Sequence, residues 1–274
     1  GEGIGLAMRG FRPIAEIQYL DYLMFALQTL SDDLATVSYR SVGKQLAPLI
    51  VRTRGHRLEG MWHAGSPMGM ILNSLKGMLV LTPRNMVQAS GMYNTLMSCT
   101  DPALIIEPLN AYRLKEKEPL NLGEFTVPLG KIEIINPGTD ITVVSYGSTL
   151  KLVEKTIPEL ERNNINIELI DIQSLIPFDL NKDIVESIKK TNKLLIVDED
   201  YPGGASSFIL KVLIEDHNGF KYLDSKPITL TAKEHRTPYG SDGDYFSKPS
   251  IDDIFEACYR IMHEYNPKKY PSNY

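Results

Sequence analysis

The chain has 274 residues, enough for one large or two medium domains, and 43% of them are hydrophobic against 23% charged, the balance of an ordinary globular protein. A formal charge of −5 argues against a nucleic-acid-binding surface as its main business, and no apolar run approaches the length of a membrane span. Cys99 and Cys258 lie far apart without metal-ligand spacing and read as two reduced, buried thiols.

The opening Gly1-Glu2-Gly3-Ile4-Gly5 reads as the middle of a helix or turn in a longer protein, which puts targeting signals out of reach. Short apolar runs at 13–18, 48–52, 78–81 and 103–107 then read as strands. Between them, 22–39, 68–75 and 84–98 carry apolar residues at helical spacing. Such alternation implies parallel strands with helices on both faces. The pattern lapses around 109–126, where Leu114-Lys115-Glu116-Lys117-Glu118-Pro119 suits a linker. It restarts with strands at 140–146, 167–172, 193–198 and 228–232, and helices at 148–162, 180–190, 205–215 and 251–264. The expected fold is therefore α/β in two domains, 1–110 and 128–274, each a mostly parallel sheet flanked by helices, with 111–127 as the linker.

In open α/β sheets ligands bind beyond the carboxyl ends of the strands. Gln18 and Tyr22 fall at or just past that end of the first strand. An aromatic ring there can stack on a flat heterocycle and an amide can bond a ring nitrogen; the alternative is a core tyrosine and a helix-capping glutamine. The loop 55–67 follows the second strand and holds two of the five histidines, His56 and His63. His63 can give or take a proton near neutrality, or be a histidine hydrogen-bonded within its loop. Arg54, His56 and Arg57 form an electropositive patch suited to a carboxylate or phosphate. Ser66-Pro67 fits the N-cap and first turn of the next helix.

Further along, Asp198-Glu199-Asp200-Tyr201-Pro202-Gly203-Gly204 reads as a tight turn, because its acidic triplet opposes a bound phosphate. Residues 239–245 read as a loop, lacking the closing glutamate of a calcium site. There is no dinucleotide-binding turn, P-loop or nucleophile elbow.

The run Gly-Ile-Gly-Leu-Ala-Met-Arg-Gly-Phe-Arg-Pro-Ile-Ala-Glu-Ile-Gln-Tyr-Leu-Asp-Tyr at 3–22 resembles the beta subunit of thiamine-diphosphate-dependent 2-oxoacid dehydrogenases. Tyr39-Arg40-Ser41, Pro48-Leu49-Ile50-Val51-Arg52, the His63 loop, Thr82-Pro83, Phe125-Thr126-Val127-Pro128-Leu129-Gly130 and Leu175-Ile176-Pro177-Phe178-Asp179 extend the likeness through nearly the whole chain. It implies a transketolase-like pyrimidine-binding domain followed by a transketolase-type carboxyl-terminal domain. Tyr22 would stack on the cofactor's aminopyrimidine with Gln18 beside it. His63, here in His63-Ala64-Gly65-Ser66 where the family has His-Ser-Gln, would face the reacting centre. Apart from the resemblance, the charge of the Arg54, Arg57 and His56 patch would suit it to steering a substrate carboxylate.

The family's cofactor-activating glutamate would fall ahead of Gly1. Diphosphate and magnesium would be held mainly by an alpha subunit or a fused alpha half, since the partner's Gly-Asp-Gly and Asn-Asn motif is missing here. A monovalent cation would sit near Leu49 and Cys99. The implied activity is oxidative decarboxylation of a 2-oxo acid, branched-chain in preference to pyruvate on the Glu-Ile-Gln and Asp-Tyr wording, with acyl transfer to lipoyl-lysine. Implied partners are a dihydrolipoyl acyltransferase core with its lipoyl domain, and a second beta portion within a heterotetramer, in the bacterial cytoplasm. Two other readings are ketol transfer of the transketolase or deoxyxylulose-phosphate synthase kind, and a non-catalytic module docking the acyltransferase core through 198–200 or 251–264.

Overall fold

The computed structural model describes residues 1–55, 61–240 and 242–272. Its strands in chain order are β1 (Ile14–Ile17), β2 (Ile50–Gly55), β3 (Leu79–Leu81), β4 (Ala103–Pro108), β5 (Glu133–Asn136), β6 (Ile141–Ser145), β7 (Ile167–Asp171), β8 (Ser174–Ile176), β9 (Leu194–Val197) and β10 (Ile228–Leu230). The helices are α1 (Glu2–Met8), α2 (Val37–Arg40), α3 (Met68–Ser74), α4 (Met86–Ser98), α5 (Leu150–Arg162), α6 (Asp183–Thr191), α7 (Ala205–Lys211), α8 (Gly243–Ser247) and α9 (Ile251–Tyr265). They frame two five-stranded sheets, ordered β1-β2-β4-β3-β8 and β10-β9-β6-β7-β5. Within them β1, β2, β4 and β3 run parallel, as do β10, β9, β6 and β7. Strands β4, β6, β7 and β9 are buried along their whole length, as helix-covered parallel strands must be.

Two short strands escaped the periodicity argument. β5 pairs antiparallel with β7 and has no buried residue, so no long apolar run marks it. β8 leaves the second half of the chain and pairs antiparallel with β3 of the first sheet. The halves therefore share a sheet, and one apolar cluster runs from Val80, Leu104 and Ile106 to Val144, Tyr146 and Ile170. Residues 112–132 contain no helix or strand. They strap across α4, where the Thr95 hydroxyl accepts from Val127 N at 3.1 Å and donates to Val127 O at 2.7 Å.

The segment expected as one helix from 22 to 39 is helical but broken. It opens with a 3-10 helix, Leu20–Ala26, continues as a π-helical stretch, Thr29–Leu34, and ends in α2. Buried Leu20 and Leu23 recur at the three-residue repeat of a 3-10 helix, while Leu30 and Leu34 are four apart. The expected helix at 205–215 divides likewise into α7 and a π-helical stretch, Val212–Asp216. Part of the expected 239–245 loop is helical, as α8.

The acidic triplet is no solvated docking face: Asp198, Glu199 and Asp200 are 0%, 2% and 5% exposed. Hydrogen bonds account for this burial. Asp198 accepts from Tyr146 Oη at 2.6 Å and from Ser206 N, near the start of α7, at 2.8 Å. Asp200 accepts from Tyr201 N at 2.8 Å and, across the seam, from Gly69 N in α3 at 3.0 Å. Lys248, itself buried, lies 3.7 Å from Glu199. Arg84, just past β3, forms a second bridge between the halves, to Glu133 at 2.7 Å and Asp171 at 2.8 Å.

Candidate active site at the carboxyl ends of β1 and β2

One contact sets the position of the site. Gly55 ends β2, and a Cβ there would lie 3.0 Å from Leu20 Cδ2, 3.2 Å from Leu20 Cγ and nearer still to Leu20 Cβ. Glycine lets fully buried Leu20 seat against the strand end. The turn after β1 is thereby anchored, and it presents Gln18, Tyr19, Asp21 and Tyr22 at the sheet's carboxyl edge.

His63 comes to the same edge from the loop preceding α3. Its φ of +58° is left-handed, a conformation that a residue with a side chain rarely adopts. The ring Nδ1 lies 3.1 Å from Asp21 Oδ2, and Nε2 is 3.4 Å from Tyr22 Oη. Tyr19 stacks on the imidazole with centroids 4.2 Å apart and planes 1° from parallel. Tyr22 meets it edge-on at 4.9 Å and 82°. The Asp21 carboxylate fixes the tautomer with the proton on Nδ1, which leaves the Nε2 lone pair facing Tyr22 and the open edge. Tyr22 is 39% exposed, so a ring face remains for a planar ligand.

The expected residues thus divide. Gln18, Tyr22 and His63 assemble at one strand edge. Arg54 joins them with its guanidinium already engaged: Nε donates to Gln18 O at 3.0 Å, Nη2 lies 3.7 Å from Glu16, and the group sits 5.3 Å from the centre of the Tyr19 ring. His56 and Arg57 lie outside the described residues. Ser66 does not cap α3. Pro67 holds the N-cap position, Ser66 offers its backbone carbonyl to Met68 N at 2.8 Å, and the Ser66 hydroxyl is buried.

Asp21 and Tyr19 were not singled out from the sequence. A signal was there: both lie within four residues of Tyr22, in the run that carries the strand-to-turn transition. A second cluster stands behind the site. Glu107, buried at the end of β4, accepts the hydroxyls of Tyr93 at 2.5 Å and of Tyr112, and lies 3.4 Å from Arg52. Burial and the Glu107 carboxylate together push both phenols well above the usual tyrosine range, so they act as fixed donors.

Near Leu49 and Cys99, the place expected for a monovalent cation, three carbonyl oxygens accept hydrogen bonds. Arg12 donates to Leu96 O at 3.3 Å and to Cys99 O, and Leu49 O accepts from Ala103 N at 3.0 Å. Among the described residues no cluster of His, Cys, Asp or Glu could hold a metal ion, and no helix is long and apolar enough to cross a membrane.

Comparison with known proteins agrees with this architecture. Residues 1–115 match the transketolase pyrimidine-binding domain and 130–246 the transketolase C-terminal domain. The chain is 30% identical over 258 residues to the pyruvate dehydrogenase E1 component subunit beta of Acholeplasma laidlawii, covering 93% of this chain and 77% of that protein. It is 31% identical over 218 residues to the 2-oxoisovalerate dehydrogenase subunit beta of Bacillus subtilis, covering 79% of this chain and 66% of the relative. Among solved structures, a split-gene transketolase in an inactive beta4 tetramer superposes with a TM-score of 0.76 at 16% identity, covering 96% of this chain and 80% of that one, a likeness of fold. With both domains matched in order and the identity sustained over most of the chain, this protein belongs to the E1 beta-subunit family of pyruvate and branched-chain 2-oxoacid dehydrogenases.

Proposed function

We propose that the chain provides the pyrimidine-facing half of a thiamine-diphosphate site in which a 2-oxo acid is decarboxylated and its acyl group passed to lipoyl-lysine. The observation that carries this reading is the assembly of Tyr22, Gln18 and the His63–Asp21 pair at one strand edge. An exposed aromatic ring, with an amide-bearing residue four positions earlier at the same strand end, suits the aminopyrimidine ring of the cofactor. When bound, the cofactor supplies the nucleophilic carbon and the electron sink that decarboxylation needs.

Each residue of this chain then has a definite task. Tyr22 offers the stacking face, and Gln18 a donor and an acceptor for ring nitrogens. His63, with Nδ1 held by Asp21, presents Nε2 to accept or return a proton while the acyl group moves to the lipoyl sulfur. Arg54 contributes positive charge beside the opening where a substrate carboxylate arrives. Diphosphate and magnesium fall to an alpha partner, the reading that follows from the missing Gly-Asp-Gly and Asn-Asn motif in this sequence. An acyltransferase core with its lipoyl domain and a second beta portion complete the assembly.

Branched-chain acids are favoured over pyruvate. The support is the run Glu16-Ile17-Gln18 with Asp21-Tyr22, since the two relatives at 30% and 31% identity stand one on each side of that choice. The test is carbon dioxide release from a panel of 2-oxo acids by the complex with its alpha portion, beside a His63→Ala variant. Turnover of a branched-chain acid above pyruvate, falling at least tenfold in the variant, is the expected result. Ketol transfer between sugar phosphates with no 2-oxo acid turnover would move the protein to the transketolase branch. Binding to the acyltransferase core without decarboxylation would leave it an assembly module.

A further inference from the structure

His63 lies in a loop without regular secondary structure and in a left-handed backbone conformation, so local backbone preference does not aim its ring. The hydrogen bond to Asp21 at 3.1 Å sets where Nδ1 points. A single hydrogen bond still leaves the imidazole free to swing about the line joining nitrogen and oxygen. Nε2 keeps a fixed direction only if something also fixes the plane.

We propose that Tyr19 is the positioning residue for His63, fixing the imidazole plane by its face-to-face stack, and that Arg54 fixes Tyr19 in turn. The proposal rests on the reading of His63 as the acid–base group. The stack is close and parallel, at 4.2 Å and 1°, whereas Tyr22 touches the imidazole only edge-on. Arg54 belongs to β2, a strand paired on both sides, and it ties the turn down twice. Its Nε holds the Gln18 carbonyl at 3.0 Å, and its guanidinium lies 5.3 Å from the Tyr19 ring centre, within cation–π range. Glu16, on β1, lies 3.7 Å from the same guanidinium and limits its swing. The orientation of a loop histidine is thus referred back to two paired strands. Tyr19 makes no claim on substrate or cofactor; it acts through His63.

The stack needs an aromatic face and no hydroxyl, which separates two variants. Tyr19→Phe keeps the stack. Tyr19→Leu retains apolar bulk and loses it. In NMR spectra of the protein with labelled histidine, His63 is assigned by difference against His63→Gln, and its ring protons should be shielded by the Tyr19 ring. That shielding should persist in Tyr19→Phe and vanish in Tyr19→Leu. In the assembled complex Tyr19→Phe should keep kcat within twofold, while Tyr19→Leu should lose at least tenfold in kcat with KM changed less than twofold. Arg54→Met should reduce the shielding and lower kcat by less than Tyr19→Leu does.

Retained shielding in Tyr19→Leu overturns the proposal, whatever the activity. So does an unchanged kcat in Tyr19→Leu where His63→Ala is impaired. A His63→Ala complex that decarboxylates normally fails the acid–base reading instead, and the ring resonances then judge the stack alone.

Discussion

Gly55 offers a direct test of what holds the site in place. Its backbone conformation is not one that excludes a side chain, so alanine meets only a steric objection. That objection is severe: the new methyl would lie 3.0 Å from Leu20 Cδ2 and 3.2 Å from Cγ, with Cβ nearer still, where carbon atoms normally rest roughly 3.5–4.0 Å apart. Leu20 is fully buried. It must shift by about 1 Å, and overpacking of this kind costs about 1–3 kcal/mol. The strain falls on the turn that carries Asp21, whose carboxylate sits 3.1 Å from His63 Nδ1 and would be drawn past hydrogen-bonding range. Gly55→Ala should therefore do two things together. Its urea midpoint, followed through Trp62, the single tryptophan and a close neighbour of His63, should fall by an amount equivalent to about 1–3 kcal/mol. Decarboxylation by the assembled complex should drop by roughly a hundredfold, the scale expected for an ångström of misplacement. Gly5→Ala is the matched control. It lies inside α1 with nothing within 4 Å, and should gain about 0.5–1 kcal/mol from helix propensity. An unchanged midpoint in Gly55→Ala would refute the contact between β2 and the turn, and with it the account of how the site is anchored.

Three further outcomes follow from groups outside the site. Arg84→Met should destabilise by about 3–5 kcal/mol, because it leaves fully buried Asp171 without its cation, and adding Asp171→Asn should recover most of that loss in a double-mutant cycle followed by urea unfolding. The pair of half-buried His217 and buried Asp179, 3.8 Å apart, is shifted toward its neutral forms, His217 down and Asp179 up, in both cases chiefly by burial. For the histidine the unfolded chain then binds more protons than the folded one just below pH 6.5, so its contribution is present above that value and fades as pH falls through it; His217→Gln should flatten the acid limb of stability against pH. Cys258 is fully buried with its thiol pushed up to about 12, whereas Cys99 is half-buried, so a thiol reagent at neutral pH should label Cys99 first and reach Cys258 only on unfolding.

What could be read from the sequence followed the strength of the local signal. Strands such as β4 and β7 are buried throughout, and their unbroken apolar runs announced them. Neither β5, exposed on two of its four residues, nor the three-residue β8 has such a run. Both are defined by the strand they pair with, a long-range fact that no window of sequence contains. The site divides in the same way. Gln18 and Tyr22 could be found because position at a strand's carboxyl end is a local property. The partnership of Asp21 with His63 spans 42 residues and depends on where a loop returns. The burial of the acidic triplet at 198–200, which rules it out as an exposed docking surface, is not legible in composition, because three consecutive carboxylates point to water. Its burial is set by a tyrosine hydroxyl and backbone amides from distant elements.

That seam also explains why a site built from first-half side chains needs the second half of the chain. The His63 loop runs directly into α3, so wherever α3 rests, the far end of the loop is fixed. α3 is held by the second half at two points. Gly69 N donates to Asp200 at 3.0 Å, and the backbone at Gly69 approaches Gly204 so closely that a Cβ would lie 3.0 Å from Gly204 Cα. Beside this contact Ala64, Gly65 and Ser66 line a cavity of about 20 Å³ with Glu199, Asp200 and Lys248, room for about one water molecule. Asp200 is buried, and burial raises its carboxyl above the usual range; three backbone amides, those of Gly69, Tyr201 and Ala205, favour its charged form. A carboxylate held by amides from both halves locks their relative position, because moving either half strands a buried charge. The His63 ring is held by Asp21 and Tyr19, which β1 and β2 support through Arg54, and the loop's far end is held by the turn after β9. His63 lies between two rigid supports, which is how an irregular loop can hold an imidazole ring in a single orientation.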